Sequence, residues 1–589
     1  MKALITWSSA EKELIARALG SGWRVLSADG FCYDLPGDDI GLSVPGFSPV
    51  YQQTTLSRRV SRELQRNLEG IDVVAIHVPP GRRGEYEAVK LLSVLERQSA
   101  YLVRILDMSP DGIKRGLASA TPISPLRYVA AECQRVLERI VGYRVSPVLN
   151  SLSSHRKPLS VSLISTPVLM AFAERPPAEY AAQWCGEFIS EQNRITGELA
   201  SSPFSDDEIS VVRGLLLDQP SFSLIEGAGE PHSDPAPPPL TTAALVSLCY
   251  RELGLLPAKT LDIAKRLFLA AKITYPWTAS KVLDPFTAPR LKSAVFGNDA
   301  SHAAPDSDAG ASTDHASPFA ISPVDPLTQL TGFGDEERSV YELILKASLA
   351  AIMPASQYTV VTSRLVSTLR YKGRPVEFSF QSRRIESPGW TQALSQNHPL
   401  PLYAPPRSTS FRLDKMGQVQ KQTTPDETFV DVLLACINQH PLIDPHRIQE
   451  VFSYLFARDM LDIDQHTASL SAAGRSVYNI LHGTLTFLRM DKVRSVSASL
   501  DSVESGQAEA NDLVYTFARQ IEDAISAYVQ DVEGKSVRCP FCYGGTLKRR
   551  FLASEDAFTW RCSNKITCGK TLPDDPDANG LPLYDSCRD

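Results

Sequence analysis

Five of the ten cysteines lie close together near the end of the 589-residue chain. Four of them form a C-P-x-C pair, Cys539 and Cys542, and a C-x5-C pair, Cys562 and Cys568, separated by two glycines and a basic stretch. Such paired thiolates are the usual ligands of tetrahedral zinc in a zinc ribbon. We therefore predict a structural four-cysteine zinc site over residues 535–572, with free or disulfide-bonded thiols as the alternative. Cys587 is expected to be unliganded in an acidic tail.

The predicted ribbon is strongly basic, although the whole chain is acidic. Residues 535–570 contain eight Lys and Arg against two acids, whereas the chain has a formal net charge of −7. Aromatic side chains alternate with these charges, and base stacking combined with phosphate contacts is typical of single-strand binding. The residues predicted to contact single-stranded DNA are Lys548, Arg549, Arg550, Phe551, Trp560 and Arg561. A solvated basic face and a protein-docking module are the alternatives.

A tyrosine that could act as a nucleophile lies near the middle of the chain. Residues 240–269 are predicted to form two helices, because apolar residues recur at helical spacing and Pro257 stands where the second helix would begin. Tyr275 follows in the string ITYPWTAS. A tyrosine hydroxyl can attack a phosphodiester, but its pKa of about 10 means that it needs assistance. The favoured interpretation of Tyr275 is a packed aromatic side chain held between the helices and Trp277.

This segment resembles the part of type IA DNA topoisomerases that carries the nucleophilic tyrosine, in the motif I-T-Y-M-R-T-D-S. Tyr275 matches that tyrosine, while Trp277 replaces the motif's arginine and Ala279 its aspartate. The resemblance extends over nearly the whole chain, including the helical stretches 139–147 and 335–358. It implies a multidomain α/β plus α and β protein: a type IA topoisomerase-like toroid with an N-terminal TOPRIM-like parallel sheet domain and a C-terminal zinc ribbon.

The metal motif of the family's TOPRIM domain is altered in this chain. The family has D-P-D-R-E-G-E, whereas residues 79–85 are PPGRRGE. Arg82 and Glu85 are retained, both aspartates are absent, and Arg83 replaces a glutamate. Mg²⁺ prefers carboxylate and water oxygens, so the resemblance predicts that this Mg²⁺ site is lost. Recruitment of a metal by Glu85 or Glu87 from a new position is the alternative.

Other positions that carry charge in the family are apolar here. These positions hold Trp7, Leu163, Trp277, Pro318 and Phe319. If the family's fold holds, we expect these side chains to converge on the former active site as a hydrophobic plug or a partner-binding surface.

Composition predicts the domain boundaries and excludes some protein classes. No apolar run is long enough to span a bilayer, and the scattered thiols with no secretory pattern indicate the cytoplasm. The stretch Ser495–Asp512 is expected to be a polar loop. The predicted units are a TOPRIM-like domain (1–122), a helical segment (123–225), a linker (226–240), the tyrosine-bearing helical domain (241–328, with a disordered loop at 297–316), a helix and β-rich arch (329–425), a helical segment (426–530), the ribbon (535–572) and the tail (573–589).

These features lead to one main functional expectation and two alternatives. The main expectation is a catalytically inactive type IA topoisomerase-like protein that binds single-stranded DNA or acts as a scaffold for protein partners in a DNA-processing complex. The first alternative is an active topoisomerase or nicking enzyme with a rebuilt site that uses Tyr275, Arg82 and Glu85. The second is a protein-interaction subunit with no DNA binding. No membrane association is expected.

Overall fold

The computed structural model describes most of the chain. The described residues are 2–43, 46–97, 99–152, 159–176, 180–191, 194–199, 206–218, 221–296, 318–393, 406, 408–422, 427–464, 467–483, 486–534, 537–539, 541–542, 546–552, 557–564 and 568–574. The predicted loop 297–316, Cys587 and nearly all of the predicted acidic tail lie outside them. None of the helices in the described ranges is long and apolar enough to cross a membrane.

The N-terminal domain is a parallel sheet with helices on its faces, as the alternating pattern predicts. Its elements are β1 (Lys2–Thr6), α1 (Ser9–Leu19), β2 (Trp23–Ser27), β3 (Tyr33–Asp34), β4 (Gln52–Gln53), α2 (Thr55–Asn67), β5 (Val73–His77), α3 (Arg82–Leu95), β6 (Tyr101–Val103), α4 (Pro110–Ala118) and β7 (Thr121–Pro122). The main sheet has the order β2-β1-β5-β6-β7, and only β7 is antiparallel to its neighbour. Buried strands such as β5, whose last four residues are buried, place the turn before α3 at the carboxyl edge of the sheet.

The chain then forms a long helix and enters an antiparallel sheet. These elements are α5 (Pro125–Leu152), α6 (Ser165–Ala173), β8 (Tyr180–Ile189), β9 (Arg194–Leu199), α7 (Asp206–Asp218), β10 (Ser221–Ile225) and β11 (Gly229–Asp234). The expected linker 226–240 therefore contains a strand. Strand β11 pairs with a later strand of the arch along one edge. It needs few apolar side chains, because its backbone makes the contacts and its side chains are mostly exposed.

The segment that carries Tyr275 is helical. It contains α8 (Thr242–Leu253), α9 (Pro257–Leu269) and α10 (Ala288–Phe296), and it is followed by α11 (Asp335–Ala351), which lies in the unit predicted as the arch. Pro257 is the first residue of α9, where its missing N–H group removes no hydrogen bond. Apolar residues of α8 and α9 such as Leu245, Ile263 and Leu267 share one core with Leu4 and Ile15 of the N-terminal domain.

The arch and the base of the protein complete the body of the fold. Their elements are β12 (Ser356–Tyr371), β13 (Arg374–Ser387), β14 (Ser410–Gln422), α12 (Phe429–Asn438), α13 (Ile448–Ala457), β15 (Leu461–Asp464), β16 (Thr467–Leu470), α14 (Ala472–Gly483), α15 (Met490–Glu504) and α16 (Ala510–Gly534). In the arch, β10 pairs with both β12 and β14, so that the antiparallel sheet closes on itself. Helix α5 packs against α3, α15 and α16.

Helix α15 occupies much of the stretch that was expected to be a polar loop. Its buried residues are Val493, Val496, Leu500 and Val503, a helical spacing that anchors α15 against α5. The serines and acids between them face outward, which is why the segment has a polar composition.

The C-terminal ribbon is a small antiparallel sheet. It consists of β17 (Val537–Arg538), β18 (Thr546–Leu552), β19 (Ala557–Cys562) and β20 (Thr571–Pro573), in that order. Its core contains Leu547, Trp560 and Leu572 together with cysteine side chains.

Candidate functional site

Backbone and side-chain hydrogen bonds fix Tyr275 in a short turn after α9. The backbone N–H of Tyr275 donates to the carbonyl of Leu106, 2.9 Å away, beyond the end of β6. The hydroxyl of the preceding Thr274 donates to the carbonyl of Ala320 at 3.0 Å. The turn is thereby attached to the N-terminal domain on one side and to its own domain on the other. As a result, only 5% of Tyr275 is exposed.

The hydroxyl of Tyr275 is hydrogen-bonded to Nε2 of His446. Burial and the positive charge of Arg83 lower the pKa of His446 to about 3, so its imidazole is neutral. Burial and the carboxylate of Asp444 raise the pKa of Tyr275 well above 10, so the phenol is neutral as well. In the imidazole tautomer with its proton on Nδ1, Nε2 accepts the hydrogen of the phenol. Trp277 stacks on His446 with ring centroids 4.7 Å apart and holds the imidazole in place.

A cleft of about 470 Å³ opens beside Tyr275 toward the N-terminal domain. Arg83 lines the cleft and bonds through Nε to Glu87 at 2.7 Å. On the opposite wall, Glu11 accepts a bond from the backbone N–H of Trp7 at 3.2 Å and lies 3.6 Å from Nδ1 of His77. Although burial opposes it, His77 lowers the pKa of Glu11. The acids of this cleft are therefore engaged by separate cationic or N–H partners.

The carboxylates that line this cleft do not fit a magnesium site, because Glu11, Asp34 and Glu87 each have another partner. The strand end that faces Tyr275 presents Pro79, Gly81 and Arg83, none of which offers a carboxylate. Within the described ranges, the only group of three or more His, Cys, Asp or Glu side chains close enough to share a metal ion is the cysteine cluster of the ribbon.

Arg82 and Glu85 point away from Tyr275 into other contacts. Arg82 bonds to Asp501 and Glu504 of α15, both at 2.5 Å. Glu85 is 1% exposed, lies 3.3 Å from Nη2 of Arg104 and accepts a bond from the N–H of Ser124 at 3.1 Å. Burial raises the pKa of Glu85, and these two partners counteract that effect.

The four cysteines of the ribbon form a compact sulfur cluster. The Sγ atoms of Cys539 and Cys568 are 3.7 Å apart, those of Cys542 and Cys562 are 3.6 Å apart, and all four lie within 4.8 Å of one another. Zn–S bonds of about 2.3 Å in a tetrahedron place neighbouring sulfurs about 3.8 Å apart, whereas a disulfide needs about 2.05 Å. The donor set and its spacing therefore fit zinc.

Strand alternation divides the predicted DNA-binding residues between the two faces of the ribbon. Lys548 and Arg561 are opposite each other on β18 and β19 and are exposed, and Arg550 is on the same face. Trp560 belongs to the other face, is fully buried and donates its indole N–H to Asp574 at 2.6 Å. Arg549 is its cross-strand neighbour and also bonds to Asp574, at 3.0 Å. Phe551 is described only in its backbone, opposite Phe558.

Comparison with known proteins agrees with this architecture. The profile of the DNA topoisomerase family matches residues 123–515, more than half of the chain. The chain belongs to the type IA DNA topoisomerase family. It is 23% identical to the plasmid DNA topoisomerase I of Xylella fastidiosa over 98% of this chain and 90% of that protein. It is 24% identical to DNA topoisomerase 1 of Synechocystis over 67% of this chain and 49% of that protein.

The fold comparison covers nearly the full length of the chain. The structure of full-length topoisomerase I from Thermotoga maritima matches with a TM-score of 0.74 and 18% identity, covering 98% of each chain. The fold class predicted from the sequence, a type IA topoisomerase-like toroid with a TOPRIM-like sheet domain and a ribbon-like C-terminal cysteine cluster, is confirmed.

The apolar replacements in this topoisomerase-family chain do not converge into one plug. Trp7 and Trp277 line the Tyr275 cleft, which remains an open cavity. Leu163 is fully buried in a separate helical core, where its carbonyl is 3.1 Å from Nε2 of His440. Pro318 and Phe319 line two other cavities. Trp277 also lines the cavity of Pro318, but the five side chains are spread over three cavities and a separate core, so they form no single plug. The alternative, a partner-binding surface, stays a prediction.

Sequence reasoning missed the two residues that most strongly affect Tyr275. His446 and Asp444 lie in a short connection between α12 and α13, within a stretch that was predicted to be continuously helical. Pro441 and Pro445 interrupt the helix there, because proline cannot donate the required hydrogen bond. The string Asp-Pro-His-Arg, residues 444–447, was the available signal for a turn that carries polar side chains.

Proposed function

We propose that this protein is a type IA topoisomerase-family member that binds single-stranded DNA without metal-dependent strand cleavage and rejoining. In this role it serves as a DNA-binding or scaffolding subunit, with protein partners, in a DNA-processing complex. The observation that carries the proposal is the set of residues that line the cleft facing Tyr275. Where the family's motif supplies carboxylates, this chain places Arg83 in an ion pair with Glu87.

The electrostatics of the cleft support this proposal. A Mg²⁺ ion needs several hard oxygen ligands, and a guanidinium at short range repels it. A neutral, buried phenol is also a poor nucleophile unless its proton is removed during the attack. The altered cleft therefore lacks the metal that would balance charge on a phosphate, whereas the fold that surrounds it is retained.

The exposed face of the ribbon supports single-strand binding. Lys548, Arg550 and Arg561 lie on one side of two paired strands, where they can follow a phosphate backbone. Phosphate contacts of this kind do not require catalytic residues, so DNA binding can persist after strand cleavage is lost. The buried Trp560 supports the sheet from the other side.

A second candidate function is favoured by the bond between Tyr275 and His446. In a nicking reaction, the phenol oxygen would bond to phosphorus as His446 takes the phenolic proton, and Arg83 would offset charge on the phosphate. The P–O bond to the leaving strand would break, and the imidazolium would give its proton to the leaving oxygen, which becomes the strand's hydroxyl. Arg82 and Glu85, the residues first considered for a rebuilt site, have other partners and take no part in this scheme.

A covalent-trapping experiment tests the proposed loss of cleavage. Wild-type protein and the Tyr275→Phe variant are incubated with end-labelled single-stranded DNA in Mg²⁺, in Mn²⁺ and in EDTA, then denatured. We expect no labelled protein band for either, with equal single-strand affinity in both, because Tyr275 is buried and its proton is retained. A band from the wild type that is absent from Tyr275→Phe would contradict the proposal. If that band also required His446, the second candidate function would replace it.

A charge-neutralising variant tests the basic face of the ribbon. The triple variant K548Q/R550Q/R561Q should weaken single-strand binding to a similar extent for all base sequences. Its salt dependence should become shallower by about 2 logarithmic units per decade of salt, because three phosphate contacts are removed. The matched control is R58Q/R59Q/R62Q, which removes the same charge from the exposed face of α2. Equal loss of affinity in both triple variants would show a general charge effect and contradict a ribbon site.

A further inference from the structure

A second cavity, of about 520 Å³, lies on the far side of Trp277 and His446 from the Tyr275 cleft. Arg82, Arg104 and Arg127 line it, and we refer to it as the arginine pocket. It is bounded by the turn before α3, the start of α5, the segment 277–280 and the end of α15. Three guanidiniums around one cavity form a strongly anion-attracting surface.

One carboxylate lies between two of these arginines. Oε2 of Glu504 is 2.5 Å from Nε of Arg82, and Oε1 of Glu504 is 3.0 Å from Nε of Arg127. Asp501 adds a bond to Nη2 of Arg82 at 2.5 Å. Although burial opposes it, these arginines lower the pKa of Glu504, so the carboxylate is ionised. A phosphodiester offers the same feature, two anionic oxygens on one centre, to a pair of guanidiniums.

The two helices that meet here carry these charges at unfavourable ends. Asp501 and Glu504 lie in the last turn of α15, where the helix dipole disfavours carboxylates, and Arg82 is the first residue of α3, where it disfavours a cation. Asp501 is also 67% exposed at its side chain, so its pairing with Arg82 contributes little stability. The ion pair between Asp501 and Arg82 is therefore weak enough for a polyanion to displace.

A neighbouring cavity of about 570 Å³, which shares Arg82, is also lined by arginines that are paired with carboxylates; we refer to such pairing as masking. Its lining pairs are Arg83 with Glu87 at 2.7 Å, Arg135 with Asp34 at 2.8 Å and Arg447 with Glu138 at 2.5 Å. Arginines that line both cavities are thus paired with carboxylates of the protein itself. Such masking is consistent with a net charge of −7 on a protein that binds nucleic acid.

We propose that Arg82 and Arg127 form a phosphodiester-binding site that Glu504, assisted by Asp501, occupies while the protein is free of nucleic acid. This inference rests on the proposed function, because it assumes that the protein binds a single strand. It goes further in identifying a second contact region, away from the ribbon, and an intramolecular competitor for it. When a strand binds, its phosphate takes both guanidiniums, and Glu504 is released toward solvent at the end of α15.

The competing interpretation is that these ion pairs only attach α15 to the N-terminal domain. The two interpretations make opposite predictions for the removal of the Glu504 charge. A fastening role predicts lower stability and unchanged or weaker binding. A masking role predicts tighter binding, because Arg82 and Arg127 become available to phosphate.

The test compares Glu504→Gln with wild type in binding to a labelled oligothymidylate across a range of salt concentrations. We expect about three- to tenfold tighter binding at low salt. The slope of log K against log salt concentration should become steeper by about 1.4, because two phosphate contacts are gained. Asp501→Asn, at an exposed position, should give a smaller gain, and it keeps the test valid if Glu504→Gln folds poorly. The matched control Asp491→Asn removes the same charge from the other end of α15, where its neighbour is Arg489 at 3.7 Å.

A further variant separates masking from general electrostatics. If Arg82 and Arg127 are the site, E504Q/R82Q/R127Q should lose the gain and bind no more tightly than wild type. Wild-type-like binding by Glu504→Gln and Asp501→Asn, or an equal gain with Asp491→Asn, would overturn this inference and leave the proposed function intact. The absence of single-strand binding in wild type, Glu504→Gln and the ribbon variant alike would overturn the proposed function and this site together.

Discussion

Replacing Cys562 by serine is expected to release the metal of the ribbon and unfold residues 537–574 while the rest of the protein stays folded. Among the described residues of the ribbon, the buried core consists of Leu547, Trp560 and Leu572 together with cysteines. Structural zinc in small domains contributes an apparent free energy of about 10–16 kcal/mol at neutral pH. A core this small cannot replace that contribution, so loss of one thiolate should be decisive.

Metal content and hydrogen exchange together check this prediction. Wild type should contain equimolar zinc, and Cys562→Ser should contain almost none. Amide protection should disappear from β18 and β19 but remain in α5 and the N-terminal sheet. Cys32→Ser is the control, because Cys32 is exposed and lies outside the sulfur cluster. Retained protection in β18 and β19 without metal would contradict a zinc-dependent ribbon.

Loss of the metal should also weaken DNA binding, although no phosphate ligand is removed. Lys548 and Arg561 share a face only because β18 and β19 pair in a fixed register. Unfolding separates these two side chains. Binding would then also have to order the unfolded segment, and the conformational entropy lost in doing so would lower the affinity. Zinc in this protein would therefore act on binding through the sheet and not through contact with DNA.

The sequence was sufficient for features that depend on local motifs. The four predicted zinc ligands lie within 30 positions and could be located from their spacing, whereas Tyr275 was located from the resemblance of its segment to the family's motif. The partner of Tyr275 could not be predicted in this way. His446 lies 171 positions away, and its contact depends on how two domains pack.

Composition was misleading where polar residues cover a buried stripe. Serines and acids dominate α15, but Val493, Val496, Leu500 and Val503 follow helical spacing and are buried. This helical spacing was present in the sequence, but the low average hydropathy of the segment favoured a loop. Because that helix carries Asp501 and Glu504, the masking of Arg82 could be recognised only after the fold was known.

Glu85 belongs to the altered metal motif, and its contacts in the structure are those of a residue that stabilises the fold. In the sequence it is the last acid of an altered metal motif, which made it a candidate catalytic residue. In the structure its side chain is 2% exposed and faces the 4% exposed side chain of Arg104 at 3.3 Å. Arg104 also donates to the hydroxyl of Thr121 at 2.9 Å, so this ion pair joins α3 to the strands at the edge of the sheet.

The Glu85→Ala variant should therefore be strongly destabilised. Removing one partner of a buried ion pair typically lowers the free energy of unfolding by about 3–5 kcal/mol, because the remaining charge loses its compensation. Urea unfolding followed by far-UV circular dichroism measures the effect, with Glu87→Ala as the control. Glu87 pairs with the half-exposed Arg83, and that variant should lose at most about 1 kcal/mol. If Glu85→Ala were as stable as wild type, the buried pair would not support the fold, and a role for Glu85 at the cleft would have to be reconsidered. The expected difference between the two variants would instead show that the fold depends on the carboxylate of Glu85.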